Sequence, residues 1–530
     1  MQTGYPRFFI PRAVDRLVEK LLNRLREEST EPLYREQQRH GLPVATRRQA
    51  HLFYDFLGCQ DEAKDAGAVI QIVGLSGRGN VVFIDPTNER VFEQDRGQEP
   101  PLIGTEDIFM VTYPTQLVPA ARSFWQHTGY GISSRRATFW LEWAPFFGSN
   151  PSGCFDPRIL HPDANAANSW SRIKRRFLAN RIYPSLDDDA ASLQTSDVFL
   201  YPTGMTAITE VAAALFAIQP GAAPSCGVAV FGFLYVDTFK VLSRVLGMET
   251  RVYKYDELEI DRLENELEEG LKIDAVFTEF PGNPLLRCPN IPRLRQLSIK
   301  HWFVLVVDDT VGTCASVKLL PHCDVVCTSL TKMFSGACNV MGGAVTLAPE
   351  SYYHDQLQTA LLKTSSYRSW FPQDVAVMDK NSQDFVRRVI QASRNALPIV
   401  ELIRGHPTVE QVFYPFGGES QEMYEFFRVR GTVYGFLLSI KFISPACAIA
   451  FYNALHVAKG PSLGTNFTLC CAYTLLAHSK ELDWAAENDV EEHLIRISVG
   501  LEGRTWLEPR VKKALLAASV TVYSMATVTA

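Results

Sequence analysis

Two charged side chains, Asp308 and Lys332, directly follow two apolar segments and are the residues with the clearest capacity for chemistry. Asp308 ends the apolar run that begins at Trp302, and Lys332 follows a second run that ends at Thr328. Such runs are typical of strands buried in a parallel sheet, whose carboxyl ends usually carry site residues. A lysine forms Schiff bases with carbonyl compounds, and pyridoxal 5'-phosphate (PLP) also needs a carboxylate beside its ring nitrogen. Position alone leaves open a solvated lysine and a helix-capping aspartate.

Three motifs around this pair resemble the cystathionine γ-synthase family of PLP-dependent enzymes. They are Val307 to Thr310, Ser329 to Lys332 and Val340 to Gly343. The resemblance implies that Lys332 is the catalytic Schiff-base lysine and that Asp308 contacts the ring nitrogen of the cofactor. The further cofactor contacts that it implies in this stretch are Thr310, Ser329 and Thr331.

A strand, a turn of small residues and a helix start follow one another from Asp197 to Leu215. Free backbone N–H groups and the helix dipole point to the same place at such a turn, so the pattern predicts an anion-binding cup. The turn resembles the S-G-M-x-A motif of the family. The resemblance implies that Gly204 and Met205 bind the PLP phosphate through backbone amides and that Thr203 adds its hydroxyl.

Residues 124–140 resemble an arm that the fungal branch of the family extends into the active site of a neighbouring subunit. The resemblance implies that Arg135, with Ser134 beside it, contacts the PLP phosphate of the partner. The chain has Ser133 where many relatives have a tyrosine, and Tyr130 lies three residues too early to replace it. Without the resemblance, Arg135 would be interpreted as a surface residue.

The family stacks an aromatic ring on the PLP ring shortly after the next strand. The residue at the position that corresponds to this family aromatic is Phe231, and Tyr235 follows four residues later. A phenylalanine stacks but cannot transfer protons, so Tyr235 is the candidate catalytic aromatic and Phe231 is a second stacking candidate. Both residues also fit the interpretation of ordinary core aromatics.

Three further site residues are implied by motifs in the second half of the chain. The turn from Glu279 to Leu285 resembles the E-x-P-x-N-P-L motif, which implies that Asn283 bonds the phenolic oxygen of PLP. Segments at Ser462 and Arg496 resemble the S-L-G and R-[LI]-S-V-G-L-E motifs, which implies a substrate site. A planar guanidinium suits a substrate α-carboxylate. A turn asparagine and a salt-bridged strand arginine are the structural alternatives.

The alternation of buried strands with amphipathic helices predicts an α/β protein. The resemblance implies fold type I of the PLP-dependent transferases, which is aspartate-aminotransferase-like, with a mostly parallel seven-stranded sheet and a smaller α+β carboxyl-terminal domain. We predict an amino-terminal region with a helix and a β-hairpin at 1–115, the PLP-binding domain at 116–375 and the carboxyl-terminal domain at 376–530. The amphipathic helix at 11–28 is expected to dock on the body or on a second subunit.

Composition excludes several other classes of protein. The formal net charge of -6 gives no electrostatic case for binding nucleic acid, and no apolar segment predicts a membrane span. The basic residues between positions 172 and 181 are interpreted as the solvated face of a helix. Eleven scattered cysteines suggest a reducing compartment, which predicts a cytoplasmic location. Cys323 and Cys327 lack a paired motif, so no metal site is predicted.

The resemblance implies γ-replacement on an O-acyl-L-homoserine, with O-acetyl-L-homoserine as the expected ester, through a vinylglycine ketimine. It also implies a homodimer or homotetramer with composite active sites. Cysteine as the nucleophile would give cystathionine, whereas a carbon or amine nucleophile would serve a natural-product pathway to a non-proteinogenic amino acid. A β- or γ-lyase and an inactive regulator with a PLP fold are the remaining alternatives.

Overall fold

The computed structural model describes residues 9–28, 34, 38–64, 68–75, 81–86, 108–143, 164–181, 193–218, 227–365, 369–429, 431 and 434–528. The strands are β1 (Arg39–Val44), β2 (Gln71–Leu75), β3 (Val81–Ile84), β4 (Ile108–Pro114), β5 (Val198–Tyr201), β6 (Gly227–Phe231), β7 (Glu249–Tyr253), β8 (Ala275–Glu279), β9 (Val304–Asp308), β10 (Val325–Ser329), β11 (Gly343–Leu347), β12 (Val409–Phe413), β13 (Leu437–Phe442), β14 (Ala458–Lys459), β15 (Leu469–Ala472) and β16 (Ile495–Ser498).

The helices are α1 (Arg12–Glu28), α2 (Arg47–Gly58), α3 (Val118–Thr128), α4 (Ser134–Trp143), α5 (Ala164–Ala179), α6 (Gly204–Ile218), α7 (Val236–Lys240), α8 (Glu257–Glu268), α9 (Ile291–His301), α10 (His354–Leu362), α11 (Pro372–Asn381), α12 (Phe385–Arg404), α13 (Gln421–Phe427), α14 (Pro445–Ala454), α15 (Tyr473–Ala477), α16 (Leu482–Glu487) and α17 (Arg504–Val528). Within the described residues, none of the helices combines the length and the apolar character that crossing a membrane requires.

The central sheet has seven strands in the order β5-β11-β10-β9-β8-β6-β7. The five strands from β10 to β7 are parallel neighbours, whereas β11 runs antiparallel to β10 and to β5. The strands are buried because α6 and α10 pack on one face and α8 and α9 on the other. Continuous apolar runs such as Val304 to Val307 suit this burial on both faces. The structure thus confirms the predicted α/β fold.

A second sheet, of four strands in the order β1-β4-β2-β3, lies in the amino-terminal region. The predicted hairpin is the antiparallel pair β2 and β3, and its turn lies outside the described residues. The sequence analysis did not predict β1 and β4. Leu17 and Leu21 of α1 pack with Phe139 and Trp140 of α4, so α1 docks on the body of its own chain.

The carboxyl-terminal part contains a five-stranded sheet in the order β12-β13-β16-β15-β14, packed against α12, α14 and α17. This is the predicted smaller α+β domain. The predicted boundary after residue 375 falls inside α11, and the exact domain limits stay predictions.

The basic residues at 172–181 form a solvated helix face only in part, which corrects that interpretation: Arg172 and Arg175 are exposed, but three of the arginines make ion pairs with other elements. Arg172 and Arg176 pair with Asp379 at 2.7 and 3.0 Å. Arg181 is buried and pairs with Asp309 at 2.8 Å. These ion pairs join α5 to α11 and to the end of β9.

Candidate active site

A deep cavity lies at the carboxyl ends of the central parallel strands, and the carboxyl-terminal domain forms one of its walls. Ligands of open α/β sheets bind at this edge because loops from several strands meet there. The predicted site residues that line it are Gly204, Met205, Tyr235, Asn283, Asp308, Thr310, Ser329, Lys332 and Arg496. Residues from distant parts of the sequence therefore converge on one space.

Lys332 stands in the turn after β10, next to the end of β9. Its Nζ donates a hydrogen bond to Ser462 Oγ at 3.2 Å, which connects the central sheet to the carboxyl-terminal domain. Behind Lys332 lies Gly464 with φ +67°, where a Cβ would come within 2.6 Å of the backbone nitrogen of Met333. A glycine is needed there because the segment carrying Ser462 approaches the lysine turn so closely.

Asp308 ends β9 and lies opposite Glu279, which ends β8. Burial raises the pKa of Asp308, while hydrogen bonds from Thr310 and the charge of Lys332 oppose that rise. Burial also raises the pKa of Glu279, and the charge of Asp308 raises it further. A cationic ring nitrogen bound beside Asp308 would offset the cost of burying its charge.

Sequence reasoning missed Glu279 as an individual site residue, although it stands in a motif that was noted. Its carboxylate accepts hydrogen bonds from the backbone N–H of Tyr235 at 2.6 Å and from that of Asn283 at 3.0 Å. Glu279 therefore holds the two loops that carry the candidate stacking aromatic and the candidate amide. The sequence did contain a signal that could have identified Glu279, because it is a second carboxylate at the end of a predicted strand, as Asp308 is.

The helix start at Gly204 closely approaches the end of β10. A Cβ on Gly204 would lie 2.8 Å from Ser329 Cβ, so only glycine fits without a shift. The first N–H groups of α6 have no partner within the helix. Thr203 accepts a hydrogen bond from Thr206 N at 2.9 Å, so its side chain caps the helix. Thr203 does not line the main cavity but borders a second one beside it.

Tyr235 lines the cavity and Phe231 does not, so the prediction that Phe231 stacks on the cofactor is wrong. Phe231 is fully buried, with its ring centroid 6.4 Å from that of Tyr253 and 6.3 Å from that of Tyr255. The chain turns at Gly232, where φ is +102° and a Cβ would overlap the ring of Tyr255. The next helix start then returns Tyr235 to the cavity side.

Arg496 projects from β16 into the cavity wall. It donates to Asn283 Oδ1 at 2.7 Å and to the carbonyl oxygens of Pro461 at 2.5 Å and Ser462 at 3.1 Å. Its guanidinium carbon also lies 4.8 Å from the ring centroid of Tyr473. Tyr473 is a cavity residue that sequence reasoning missed, because no motif marked it.

The second cavity is bordered by the remaining predicted residues other than Phe231, namely Ser134, Arg135, Thr203, Thr331 and Ser462. Arg135 donates to Asp374 at 2.8 Å and to the carbonyl oxygen of Asn339 at 2.7 Å. Arg135 and Ser134 are therefore not lining residues of the main cavity of their own chain. Thr331 accepts a hydrogen bond from Gly342 N at 3.1 Å, which fixes the turn around Lys332.

Tyr130 does not supply the phenol that is missing at Ser133. Its hydroxyl donates to Glu210 at 2.7 Å, and Arg48 binds the same buried carboxylate at 2.6 Å. This cluster joins α2 to α6. Tyr130 therefore has a structural role, in line with its position three residues before the expected one.

The residues of the main cavity fit PLP. A helix start with a nearby serine hydroxyl suits a phosphate, Asp308 suits a pyridinium nitrogen, and Lys332 suits an aldehyde. Within the described residues, no group of three or more His, Cys, Asp or Glu side chains is arranged to hold a metal ion.

Comparisons with known proteins agree with this geometry. A family described as Cys/Met metabolism PLP-dependent enzyme matches residues 167–515, and one described as fungal trans-sulfuration enzyme, N-terminal domain, matches residues 13–133. The cystathionine gamma-synthase of Neurospora crassa is 34% identical over 95% of this chain and 90% of its own length. The cystathionine gamma-synthase-like enzyme iboG1 of Amanita muscaria is 33% identical over 94% of this chain and 89% of its own length.

A solved structure shares the fold. The cystathionine gamma synthase of Xanthomonas oryzae pv. oryzae, solved in complex with cystathionine, aligns with a TM-score of 0.55 and 23% identity, over 65% of this chain and 88% of its own. That likeness supports fold type I. From the family matches and the cavity residues together, we conclude that the chain belongs to the Cys/Met metabolism family of PLP-dependent enzymes.

Proposed function

We propose that the protein catalyses γ-replacement on an O-acyl-L-homoserine, with O-acetyl-L-homoserine as the ester and PLP held in the main cavity. The observation that carries this proposal is that Lys332, Asp308 and Arg496 line one cavity. An amine, a carboxylate and a guanidinium are the groups needed to hold this cofactor and an amino-acid substrate together. When bound, PLP supplies an electron sink for negative charge that develops on the substrate carbon atoms.

Lys332 would bind the cofactor covalently and, once displaced by the substrate amine, move protons between substrate carbon atoms. Ser462 Oγ, 3.2 Å from Lys332 Nζ, orients the amine. Tyr235 would stack on the cofactor ring. The backbone amides of Gly204 and Met205, with the hydroxyl of Ser329, would bind the phosphate.

Arg496 would bind the α-carboxylate of the substrate. Its hydrogen bonds to Asn283 and to the backbone at Pro461 and Ser462 fix the direction in which the guanidinium points. A fixed guanidinium loses little side-chain entropy when it binds a carboxylate. The substrate is thereby held by its carboxylate beside Lys332, which supports chemistry on an amino acid.

Cysteine is the first candidate nucleophile, because two of the relatives described above are cystathionine synthases by name. A carbon or amine nucleophile is the second candidate. One observation favours it, since Val236, Leu476 and Ala477 add apolar side chains to the cavity lining beside the charged Asp237 and Lys240. Such a mixed lining suits a nucleophile that has both a carbon skeleton and polar groups.

We also propose that the protein works in the cytoplasm as a homodimer or homotetramer with composite sites. A reducing location is supported by the cysteines of the described residues, which are all free thiols. The composite site is supported by Arg135, which borders the second cavity and not the one that holds Lys332.

The proposal is tested on purified protein reconstituted with PLP. We expect a visible absorbance band from lysine-bound cofactor. The Lys332→Ala substitution should abolish this band, whereas Lys363→Ala, the control at an exposed lysine, should retain it. The holoenzyme is then incubated with O-acetyl-L-homoserine and a panel of L-cysteine, β-keto acids and cyclic imines. We expect one nucleophile to give a product that carries the four-carbon amino-acid unit, detected by mass. Release of only acetate, ammonia and 2-oxobutanoate with every nucleophile would rule out γ-replacement.

A further inference from the structure

Tyr473 is a buried tyrosine on the cavity wall that contacts two residues with roles in the proposed function. We propose that Tyr473 is a positioning residue with two separable actions. Its ring orients Arg496 toward the substrate carboxylate, and its hydroxyl, held by His478, orients Asn283 toward the cofactor. This inference rests on the proposed function, because it assumes that the cavity binds PLP and an amino acid.

The ring of Tyr473 lies beside the guanidinium of Arg496. The guanidinium carbon is 4.8 Å from the ring centroid, and both residues are nearly buried, at 4% and 3% exposure. A cation beside an aromatic ring is attracted more strongly when water is excluded. Cys471 is the register partner of Arg496 across β15 and β16, and Tyr473 follows two residues later. Tyr473 is the first residue of α15, so the turn from β15 into this helix brings its ring beside the arginine.

The hydroxyl of Tyr473 fixes one end of the Asn283 amide. Asn283 Nδ2 donates to Tyr473 Oη at 3.3 Å, and Asn283 Oδ1 accepts from Arg496 at 2.7 Å. A guanidinium has only donors, so the amide oxygen must face Arg496 and the amide nitrogen must face Tyr473. Both ends of the amide are held, and its remaining N–H has a defined direction.

In this proposal, His478 accepts the Tyr473 proton and so sets the direction in which it points. Its Nε2 lies 3.4 Å from Tyr473 Oη, and the imidazole is buried. Burial lowers the pKa of His478, so a neutral ring can accept the tyrosine proton. On the other side, His478 Nδ1 lies 3.4 Å from Glu481, which pairs with Lys240 at 2.9 Å. The phenol oxygen is thereby left as the acceptor for Asn283.

The competing explanation is that Tyr473 only fills the small core that it shares with Phe233 and Leu494. Two substitutions separate the two explanations. Tyr473→Phe keeps the ring beside Arg496 and removes the hydroxyl, whereas Tyr473→Leu removes both. Tyr452→Leu is the matched control, because the Tyr452 ring lies 4.1 Å from Lys459 Nζ outside the main cavity.

The first readout is equilibrium binding to the holoenzyme, followed by the change in visible absorbance. L-Norvaline carries a carboxylate and no leaving group, and n-butylamine lacks the carboxylate. We expect Tyr473→Leu to weaken L-norvaline binding about tenfold and to leave n-butylamine binding within about twofold. Tyr473→Phe and Tyr452→Leu should leave both affinities within about twofold of wild type.

The second readout is the pH titration of the visible absorbance of lysine-bound cofactor, which requires no turnover. A hydrogen bond to the phenolic oxygen stabilises its negative charge. We expect Tyr473→Phe to raise the titration midpoint by about half a pH unit, because Asn283 loses one of its two contacts. His478→Phe should raise it equally, and His478→Gln, whose amide can accept a hydrogen bond, should raise it by less.

Two results would overturn the inference while the proposed function stands. One is equal weakening of both ligands in Tyr473→Leu, and the other is an unshifted titration midpoint in Tyr473→Phe. The first result would remove the action of the ring on Arg496 and the second that of the hydroxyl on Asn283, so either overturns the proposal as stated, and both together would assign Tyr473 to packing alone. A wild-type protein without the lysine-dependent visible band would instead overturn the proposed function, and this inference with it.

Discussion

At the scale of single residues, Glu279 and Asp308 end neighbouring strands but have different structural roles. Asp308 accepts a hydrogen bond from Thr310 N at 2.8 Å and lines the cavity with Lys332. Glu279 accepts only backbone N–H bonds in the contacts described above, and so it organises the loops around the cofactor site. Burial raises the pKa of both groups, because each carboxylate loses water on folding.

The raised pKa of Glu279 gives a pH-dependent stability. The folded protein holds the Glu279 proton more tightly than the unfolded chain, so stability falls as pH rises from the ordinary value of 4.5 toward neutrality. We expect Glu279→Gln, which cannot ionise, to make the free energy of unfolding less dependent on pH in that window. Urea unfolding of cofactor-free protein at several pH values measures this, with the exposed Glu487→Gln as control. An unchanged slope would contradict the assignment.

Arg496 gives a kinetic prediction at the same scale. A lysine keeps the positive charge but loses the planar fork that binds a carboxylate and the bonds to Asn283 and Ser462. We expect Arg496→Lys to raise KM for O-acetyl-L-homoserine about 10- to 100-fold, with a smaller change in kcat. Steady-state kinetics test this, with Arg510→Lys as control, because Arg510 stacks on Trp506 outside the main cavity. A KM within twofold of wild type would remove Arg496 from substrate binding.

At the scale of elements, strand ends were predictable and side-chain direction after a turn was not. The apolar runs before Asp308 and Lys332 are local signals, and they correspond to β9 and β10. The return of Tyr235 to the cavity depends on the turn at Gly232, which strand periodicity does not specify. Arg181 was interpreted as solvated because its partner Asp309 lies 128 residues away in the sequence.

The start of α6 gives a prediction for this scale. A Cβ on Gly204 would meet Ser329 Cβ at 2.8 Å, so Gly204→Ala must move the helix start away from β10. We expect the Kd for PLP to rise about tenfold or more, because the phosphate site loses its backbone geometry. Absorbance titration of the cofactor-free protein measures this Kd. Gly405→Ala, with no atom within 4 Å of the added Cβ, is the control and should leave the Kd unchanged.

At the scale of the whole molecule, the site depends on how the two large sheets are placed. Asn283 follows β8 of the central sheet, and Arg496 lies in β16 of the carboxyl-terminal sheet, yet they share a hydrogen bond of 2.7 Å. Ser462 and Lys332 make a second link across the same junction. A shift of one domain would therefore disturb lysine, amide and guanidinium together. This coupling was not predictable from sequence, because each motif specifies only its own segment.

Arg135 leads to the last prediction, which concerns assembly. It stands at the start of α4, with Asp374 and the carbonyl oxygen of Asn339 as partners, and does not line the cavity of its own Lys332. If Arg135 serves the neighbouring subunit, Arg135→Ala and Lys332→Ala proteins should each be inactive and should complement one another. A mixed dimer combines an intact lysine from one chain with an intact arginine from its partner at one of its two sites.

Equal amounts of the two variants, mixed and allowed to exchange subunits, should regain about a quarter of the wild-type activity, since half of the dimers are mixed and half of their sites are intact. Activity is measured before and after exchange, and each variant alone is the control. A second control mixes wild-type protein with a double variant that carries both Arg135→Ala and Lys332→Ala. The activity of this mixture should not exceed that of the wild-type protein it contains. If exchange is confirmed by mass and activity does not return, Arg135 acts within its own chain and the site is not composite through this arm.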